Sequence, residues 1–134
     1  MKLKDFDFRI WDSNTNKFIE LAISDNIRAI PRKNDDLVLE LWSGFYDSKG
    51  AKIYEGDIVK YDSRTKPVVV VYERNTFYIV DTSIEKHLQV DCGTRLQGIY
   101  ECDNKSNGYT PENIECLEVL GNIHDNAELL KGLI

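Results

Sequence analysis

Apolar residues recur mainly at every second position of this chain, the spacing of a pleated strand with one buried and one solvent-facing side. Phe6, Phe8 and Ile10 alternate with polar residues in this way. A polar, turn-forming run at 12–16 separates them from a second apolar segment at 17–23. The two segments predict a β-hairpin near the start of the chain.

The middle of the chain carries the clearest strand patterns. Four further strands are predicted, at residues 37–42, 58–61, 68–72 and 76–80. The first is apolar on both alternating faces, which is typical of a central strand. Gly50 and Gly56 allow the turns that precede the second strand. The last three strands, joined by short connections, predict an antiparallel meander that forms the core of a small barrel.

Beyond residue 81 the pattern weakens, because glycines interrupt short apolar groups. We predict strands at 87–90 and 96–101. Residues 110–112 have the pattern of a capped helical turn, and a helix continuing from it is the alternative for the following segment. A strand at 116–123 is preferred to a helix there, because Val119 and Leu120 leave no clean polar face.

A short C-terminal helix completes the predicted fold. It begins after Asn126 as N-cap, turns Leu129 and Leu130 inward and ends at Gly132. The fold class is therefore mostly β, with flanking N- and C-terminal strands around the barrel. At 134 residues, the chain 1–134 is expected to form one domain.

Composition limits the classes of partner. The formal net charge of −6 argues against sequence-independent binding of nucleic acid, which needs a positive surface. A basic barrel face remains the second hypothesis for function: Arg28, Arg32, Lys33, Lys60, Arg64 and Lys66 would line it, and Tyr61, Tyr72 and Tyr78 would stack on bases. The amino terminus has no unbroken apolar stretch, so we expect neither a signal peptide nor a membrane span, and a cytoplasmic protein.

The reactive side chains form no recognisable motif. Cys92, Cys102 and Cys116 lack the spacing of a disulfide framework or of paired zinc ligands, so we expect reduced thiols and no metal. Nucleotide-phosphate loops are absent from the sequence, and no cofactor is expected. An enzyme is the third hypothesis, which requires a pocket where one of these cysteines meets His87 or His124.

The run from Ile53 to Tyr61 is the most distinctive stretch of the chain. Gly56 permits a sharp turn there, and the Asp57 side chain is expected to accept hydrogen bonds from nearby backbone amides. No partner for its charge is evident in the sequence. We therefore predict a structural rather than a catalytic role for Asp57.

Three segments resemble those of the YopX family, small proteins encoded by bacteriophages and prophages. Residues 8–12, Phe-Arg-Ile-Trp-Asp, resemble the family's opening Phe-Arg-Ala-Trp-Asp. Residues 42–59 resemble its central Thr-Gly-Leu-x-Asp-x-x-Gly-x-x-Ile-Tyr-Glu-Gly-Asp-Ile-Val, and residues 118–130 its closing Glu-Val-Ile-Gly-Asn-Ile-x-x-Asn-Pro-Glu-Leu. Order and spacing match along the whole chain, although Ala127 replaces a proline and residues 62–115 show no detailed match.

The resemblance implies a mostly β protein with a small SH3-like barrel, expressed from phage genes in a bacterial cell. It implies no activity and therefore no catalytic, cofactor-binding or metal-binding residue. We expect a non-enzymatic accessory protein that binds a phage or host protein. Self-association is also expected, because the C-terminal apolar residues Leu129, Leu130, Leu133 and Ile134 exceed what one short helix buries.

Overall fold

The computed structural model describes residues 2, 5–20, 35–61, 66–103 and 113–131. These residues form two antiparallel sheets and short helices. The strands are β1 (Phe8–Asp12), β2 (Lys17–Ile19), β3 (Leu37–Tyr46), β4 (Lys52–Tyr54), β5 (Asp57–Lys60), β6 (Val68–Glu73), β7 (Thr76–Val80), β8 (Thr94–Arg95) and β9 (Glu118–Asn122). The helices are α1 (Lys86–Gln89), α2 (Leu96–Asp103) and a 3₁₀ helix at Ala127–Leu130. The predicted mostly β fold class is confirmed.

The first sheet has the strand order β2-β1-β3-β4, so β1 and β3 are central and the predicted hairpin is present. Ile10 lies directly opposite Ile19 on one side and Leu39 on the other, whereas Arg9 lies opposite Glu40. Directly opposed residues point to the same side of a sheet. We call β1, β2 and residues 37–41 the N-terminal layer; one of its faces is aliphatic and the other carries charges.

The second sheet has the order β8-β7-β6-β5-β9 and curls into a half-barrel. It contains the predicted meander of β5, β6 and β7. Arg74 and Asn75 connect β6 to β7 with φ values of 52° and 61°, the left-handed pair whose twist suits a two-residue hairpin. We call this sheet with its helices the body. That its half-barrel is of the SH3-like kind stays a prediction.

Both apolar core clusters lie in the body or at its junction with β3 and β4. The larger is centred on buried Ile53, Val59, Val70, Ile79, Leu96, Ile99, Ile114 and Leu117, and the smaller on Ile58, Val69 and Val80. Within the part of the chain that the structure covers, neither cluster contains a residue of the N-terminal layer. Groups other than this core therefore attach the layer to the body.

The strands predicted at 87–90 and 96–101 are wrong, because helices α1 and α2 occupy these positions. Leu96 and Ile99 are both buried in the larger cluster. Their spacing of three places them on one side of a helix, which buries them together against β7. In segments this short, alternation does not separate a strand from a helix.

The strand and the helix predicted near the C-terminus are present, but the predicted capping by the Asn126 side chain is not. β9 falls inside the strand predicted at 116–123, and a helix of the 3₁₀ type follows Asn126. The Asn126 side chain accepts a hydrogen bond from the backbone amide of Asn122 (3.2 Å) and caps no helical amide. Leu129 and Leu130 pack inward against the smaller cluster, as predicted. The helical turn predicted at 110–112 and the helix end at Gly132 lie outside the described residues.

Asp47 joins the turn after β3 to the body, and its replacement is expected to be costly. Its side chain is buried, with Oδ1 accepting from the amides of Lys49 (2.9 Å) and Ala51 (2.8 Å) and Oδ2 from that of Val119 (2.9 Å). Asp47→Ala leaves three amides without this acceptor, so we expect a loss of about 2 to 3 kcal/mol in the free energy of unfolding. Urea titration measures this, and a loss below about 1 kcal/mol would contradict the role given to Asp47.

Candidate functional site

Charged side chains lie between the N-terminal layer and the body. Arg9 of β1 donates from Nε to Oε1 of Glu40 (2.8 Å) and from Nη2 to Oδ1 of Asp57 (2.8 Å). The same Nη2 donates to the backbone carbonyl of Glu55 (3.2 Å). The second carboxylate oxygen of Glu40 lies 2.9 Å from Nε2 of His124. We call Arg9, Glu40, Asp57 and His124 the charge cluster.

The charge cluster is largely removed from water. Glu40 and Asp57 are each 2% exposed, and the side chains of Arg9 and His124 are 20% and 15% exposed. Buried charges are tolerated only when they are paired and hydrogen-bonded. That condition is met, since no buried side-chain nitrogen or oxygen among the described residues lacks a hydrogen-bond partner.

Aromatic rings enclose the charge cluster. The His124 ring stacks on Trp11, with centroids 4.3 Å apart and planes inclined by 9°. Phe18 meets the His124 ring edge-on, at 5.9 Å. The guanidinium of Arg9 lies over the rings of Phe18 (4.8 Å) and Tyr54 (4.7 Å), an arrangement that favours a cation. These rings fix the orientation of both basic groups.

Gly56 makes room for the charge cluster. Its φ of +86° lies in the left-handed region, and a Cβ placed there would stand 2.3 Å from Oε2 of Glu40. The turn it forms is closed by Asp57, whose Oδ2 accepts a hydrogen bond from the Tyr54 amide (2.8 Å). This is the backbone bond predicted from the sequence. The partner of the Asp57 charge, which is not evident in the sequence, is Arg9, because the fold brings β1 to the other oxygen of this carboxylate.

Burial and neighbouring charges shift the pKa values of Asp57 and Glu55. Burial raises the pKa of Asp57 to about 6, although the charge of Arg9 and a hydrogen bond from the Tyr54 amide act in the other direction. Burial also raises the pKa of Glu55, and repulsion from Glu40 adds to this effect. The interface between the layer and the body therefore contains more carboxylate charge than Arg9 alone compensates.

A second polar group borders the charge cluster. Lys52 Nζ donates to Oδ2 of Asp7 (2.8 Å), and the Tyr54 hydroxyl donates to the same oxygen. Burial would raise the pKa of Asp7, but hydrogen bonds from Lys52 and Tyr54 outweigh it and lower that pKa. Burial and the contact with Asp7 raise the pKa of Tyr54 well above its usual range. Asp7 and Lys52 thus compensate each other and leave the tyrosine neutral.

The structure separates the other candidate residues. Cys92 and Cys102 are exposed, and Cys116 packs against the larger core cluster. His87 lies 3.5 Å from Glu85 at the exposed start of α1, whereas His124 is held between Glu40 and Trp11. Within the described ranges, no three His, Cys, Asp or Glu side chains are arranged to hold a metal ion.

The predicted basic face is only partly described. Arg28, Arg32, Lys33 and Arg64 lie outside the described residues, as do Leu133 and Ile134. Lys66 pairs with Asp81 at 3.0 Å. Tyr78 lies opposite Val71 rather than opposite its neighbour Tyr72. The two tyrosines therefore point to opposite sides of the sheet and cannot share one stacking surface.

The other side of the N-terminal layer is aliphatic and aromatic. We call it the apolar face; its residues are Phe6, Phe8, Ile10, Ile19, Leu39 and Leu41. Leu39, Phe6 and Ile19 are 54%, 40% and 37% exposed, while Ile10 between the strands is buried. Large apolar side chains that adjoin one another at the surface are typical of an interaction site.

The charge cluster was not predicted from the sequence, although the sequence contains one local signal for it. Glu40 lies between Leu39 and Leu41 in a strand predicted to be covered on both faces. A carboxylate in such a place requires a buried cation. The segments that resemble a known family supply Arg9 and Asp57, and His124 lies in the third at a position that the family pattern leaves open.

Comparisons with known proteins agree with this fold. The crystal structure of protein EF1440 from Enterococcus faecalis is similar, with a TM-score of 0.54 and 23% sequence identity over 93% of this chain and 97% of that chain. No curated protein matches the sequence. Among the helices that are described, none is long and apolar enough to cross a membrane. A family model described as YopX protein matches residues 7–131, and the chain therefore belongs to the YopX family.

Proposed function

We propose that this chain is a non-enzymatic accessory protein, encoded by a phage or prophage, that binds a phage or host protein in the bacterial cytoplasm through its apolar face. One observation carries the proposal. The N-terminal layer turns its charged side toward the body and leaves Leu39 and Ile19 of its other side exposed. An ordinary surface sheet does the reverse.

The apolar face has the continuity that a binding surface requires. Ile19, Ile10 and Leu39 form a direct row across three strands. In the next row on this face, two residues further along the strands, Asp12 lies opposite Lys17, so the charges there are of opposite sign. A partner that fits here presents an apolar, uncharged surface rather than a phosphate backbone.

The charge cluster supports a non-catalytic role. Arg9 is bound to two carboxylates and one carbonyl, and Glu40 is bound to Arg9 and His124. A general acid or base must reach a substrate proton, whereas these groups are occupied with one another. Their arrangement suits a device that holds the layer, and with it the apolar face, in a fixed position.

Leu39→Ser tests the proposal, with Leu88→Ser as the matched control, because Leu88 is 41% exposed on α1 and lies away from the apolar face. Each variant and the wild type serve as immobilised bait in lysate of infected host cells. We expect a stoichiometric partner that wild type and Leu88→Ser retain and whose affinity for Leu39→Ser falls about 10- to 100-fold. Equal retention by all three baits, or no stoichiometric partner, would contradict the proposal.

Two further measurements assign the partner's class. Analytical ultracentrifugation of wild type and Leu39→Ser shows whether a second copy occupies the face; a dimer lost only in Leu39→Ser would support the proposal with the chain itself as partner. A mobility shift on DNA or RNA that weakens steeply with salt and is abolished by Lys60→Glu would overturn it in favour of the nucleic-acid hypothesis. We expect no such shift.

A further inference from the structure

Two opposite charges lie on the same side of the N-terminal layer as the apolar face. Asp12 of β1 lies directly opposite Lys17 of β2, two residues along the strands from the opposed pair Ile10 and Ile19. Residues two apart on a strand share one side of the sheet, so both charges stand beside the aliphatic row. Lys17 is exposed and Asp12 is half-buried. A partner seated on the apolar face therefore meets one charge of each sign.

Contacts within the described residues leave these two charges available to a partner. Oδ1 of Asp12 accepts a hydrogen bond from the amide of Asn14 (2.9 Å), in the turn between β1 and β2. The ion pairs formed between described residues include neither Asp12 nor Lys17. A counter-charge brought by a partner gains in strength when the interface excludes water.

The arrangement of the two charges makes this surface complementary to itself. In a two-fold symmetric dimer the same surface is used by both copies, so charges of a single sign would repel each other. Asp12 and Lys17 avoid this repulsion because they lie side by side on neighbouring strands. A two-fold axis parallel to the strands and midway between β1 and β2 places Asp12 of each copy opposite Lys17 of the other.

The same rotation covers the apolar row. Ile10 of each copy then lies opposite Ile19 of the other, because these two residues are opposed in the same pair of strands. Leu39, which lies opposite Ile10 on β3, borders the second copy's Ile19. Sheets that pack face to face lie about 10 Å apart with their strands nearly aligned. The side chains that are 37% and 54% exposed in the single chain, those of Ile19 and Leu39, are covered in this arrangement.

We propose that a second copy of this chain occupies the apolar face, in a two-fold symmetric dimer in which Asp12 and Lys17 pair reciprocally. The inference rests on the proposed function, which makes this face a binding surface, and it names the occupant. A second copy presents an apolar row in which the two neighbouring charges cancel. It also supplies a counter-charge to each of them, and this reciprocity favours it over other partners.

Mixing two charge variants tests the reciprocal pairing. Asp12→Asn keeps an oxygen that accepts from the Asn14 amide, and Lys17 is exposed, so Asp12→Asn and Lys17→Glu should both fold. In sedimentation equilibrium, each variant alone should show a dissociation constant about tenfold above that of wild type, because its copies lose or repel charge. An equimolar mixture should recover association close to wild type, since a cationic face then meets an anionic one.

Recovery on mixing cannot arise from an effect within one chain. Circular dichroism of each variant verifies that it is folded before mixing. A mixture of folded variants that associates no better than the separate variants would overturn the proposal.

Wild type and the apolar variants separate this inference from the proposed function. Leu39→Ser should weaken the dimer at least about tenfold, and Leu88→Ser should leave it unchanged. A wild type that stays monomeric up to about 1 mM, or a dimer that Leu39→Ser does not weaken, would overturn the inference. If such a monomer still captured another protein through Leu39, the proposed function would stand without the dimer, so the two failures are distinguishable.

Discussion

Arg9→Met is expected to destabilise the protein by about 3 to 5 kcal/mol at pH 7.5, the range measured when one partner of a buried charge pair is removed. Arg9 is the guanidinium between Glu40 and Asp57, and both carboxylates are 2% exposed. Methionine keeps much of the side-chain length but donates no hydrogen bond. The loss should shrink as the pH falls through about 6, because burial raises the pKa of Asp57 to about this value and its charge is then neutralised. Urea unfolding at several pH values measures both effects.

Arg74→Met provides the matched control. Arg74 also donates to a carboxylate at 2.8 Å, that of Asp91, but both side chains are more than half exposed. Solvent screens such pairs, so little measurable change in stability is expected. If Arg9→Met were no more harmful than Arg74→Met, the charge cluster would not hold the layer in place.

Gly56→Ala should be the second large effect, with a loss of about 2 to 4 kcal/mol. Its φ of +86° disfavours any side chain, and the new Cβ would stand 2.3 Å from Oε2 of Glu40. A flexible side chain could move aside, but Arg9 and His124 hold the Glu40 carboxylate from both sides. Accommodating the methyl group therefore breaks a buried charge contact as well as straining the backbone. Thermal and urea unfolding measure the total.

Gly50→Ala isolates the backbone contribution. Its φ of +83° is nearly the same, yet nothing lies within 4 Å of the Cβ position. Only the left-handed strain remains, worth about 1 to 2 kcal/mol. Should Gly50→Ala and Gly56→Ala prove equally destabilising, the contact with Glu40 would play no part and the steric account would be wrong.

The parts of the fold that follow a local pattern were predictable. Continuous runs of β-branched and aromatic residues in Val68–Glu73 and Thr76–Val80, with a two-residue connection at Arg74 and Asn75, indicate a hairpin without distant information. Lys86–Gln89 and Leu96–Asp103 were not predictable in this way. Both helices are short, and α2 is stabilised by burying Leu96 in the larger core cluster, which is a tertiary effect.

The charge cluster lies beyond local patterns altogether. Arg9 and Glu40 are 31 positions apart, and Glu40 and His124 are 84 apart. Alternation in β1 places Phe8 and Ile10 on one face of the strand and Arg9 on the other. A face that carries a charged residue is ordinarily exposed to solvent. Only the approach of the second sheet turns that charged face into an interface, and no spacing in the sequence encodes this approach.

A double-mutant cycle of Arg9→Met and Asp57→Asn at pH 7.5 tests most directly whether charges hold the N-terminal layer on the body, because Arg9 belongs to the layer and Asp57 to the body. We expect a coupling free energy of at least about 1.5 kcal/mol, with Arg9→Met much less harmful when Asp57 is already neutral. Losses that add to within about 0.5 kcal/mol would show that the two residues act independently and would contradict the account.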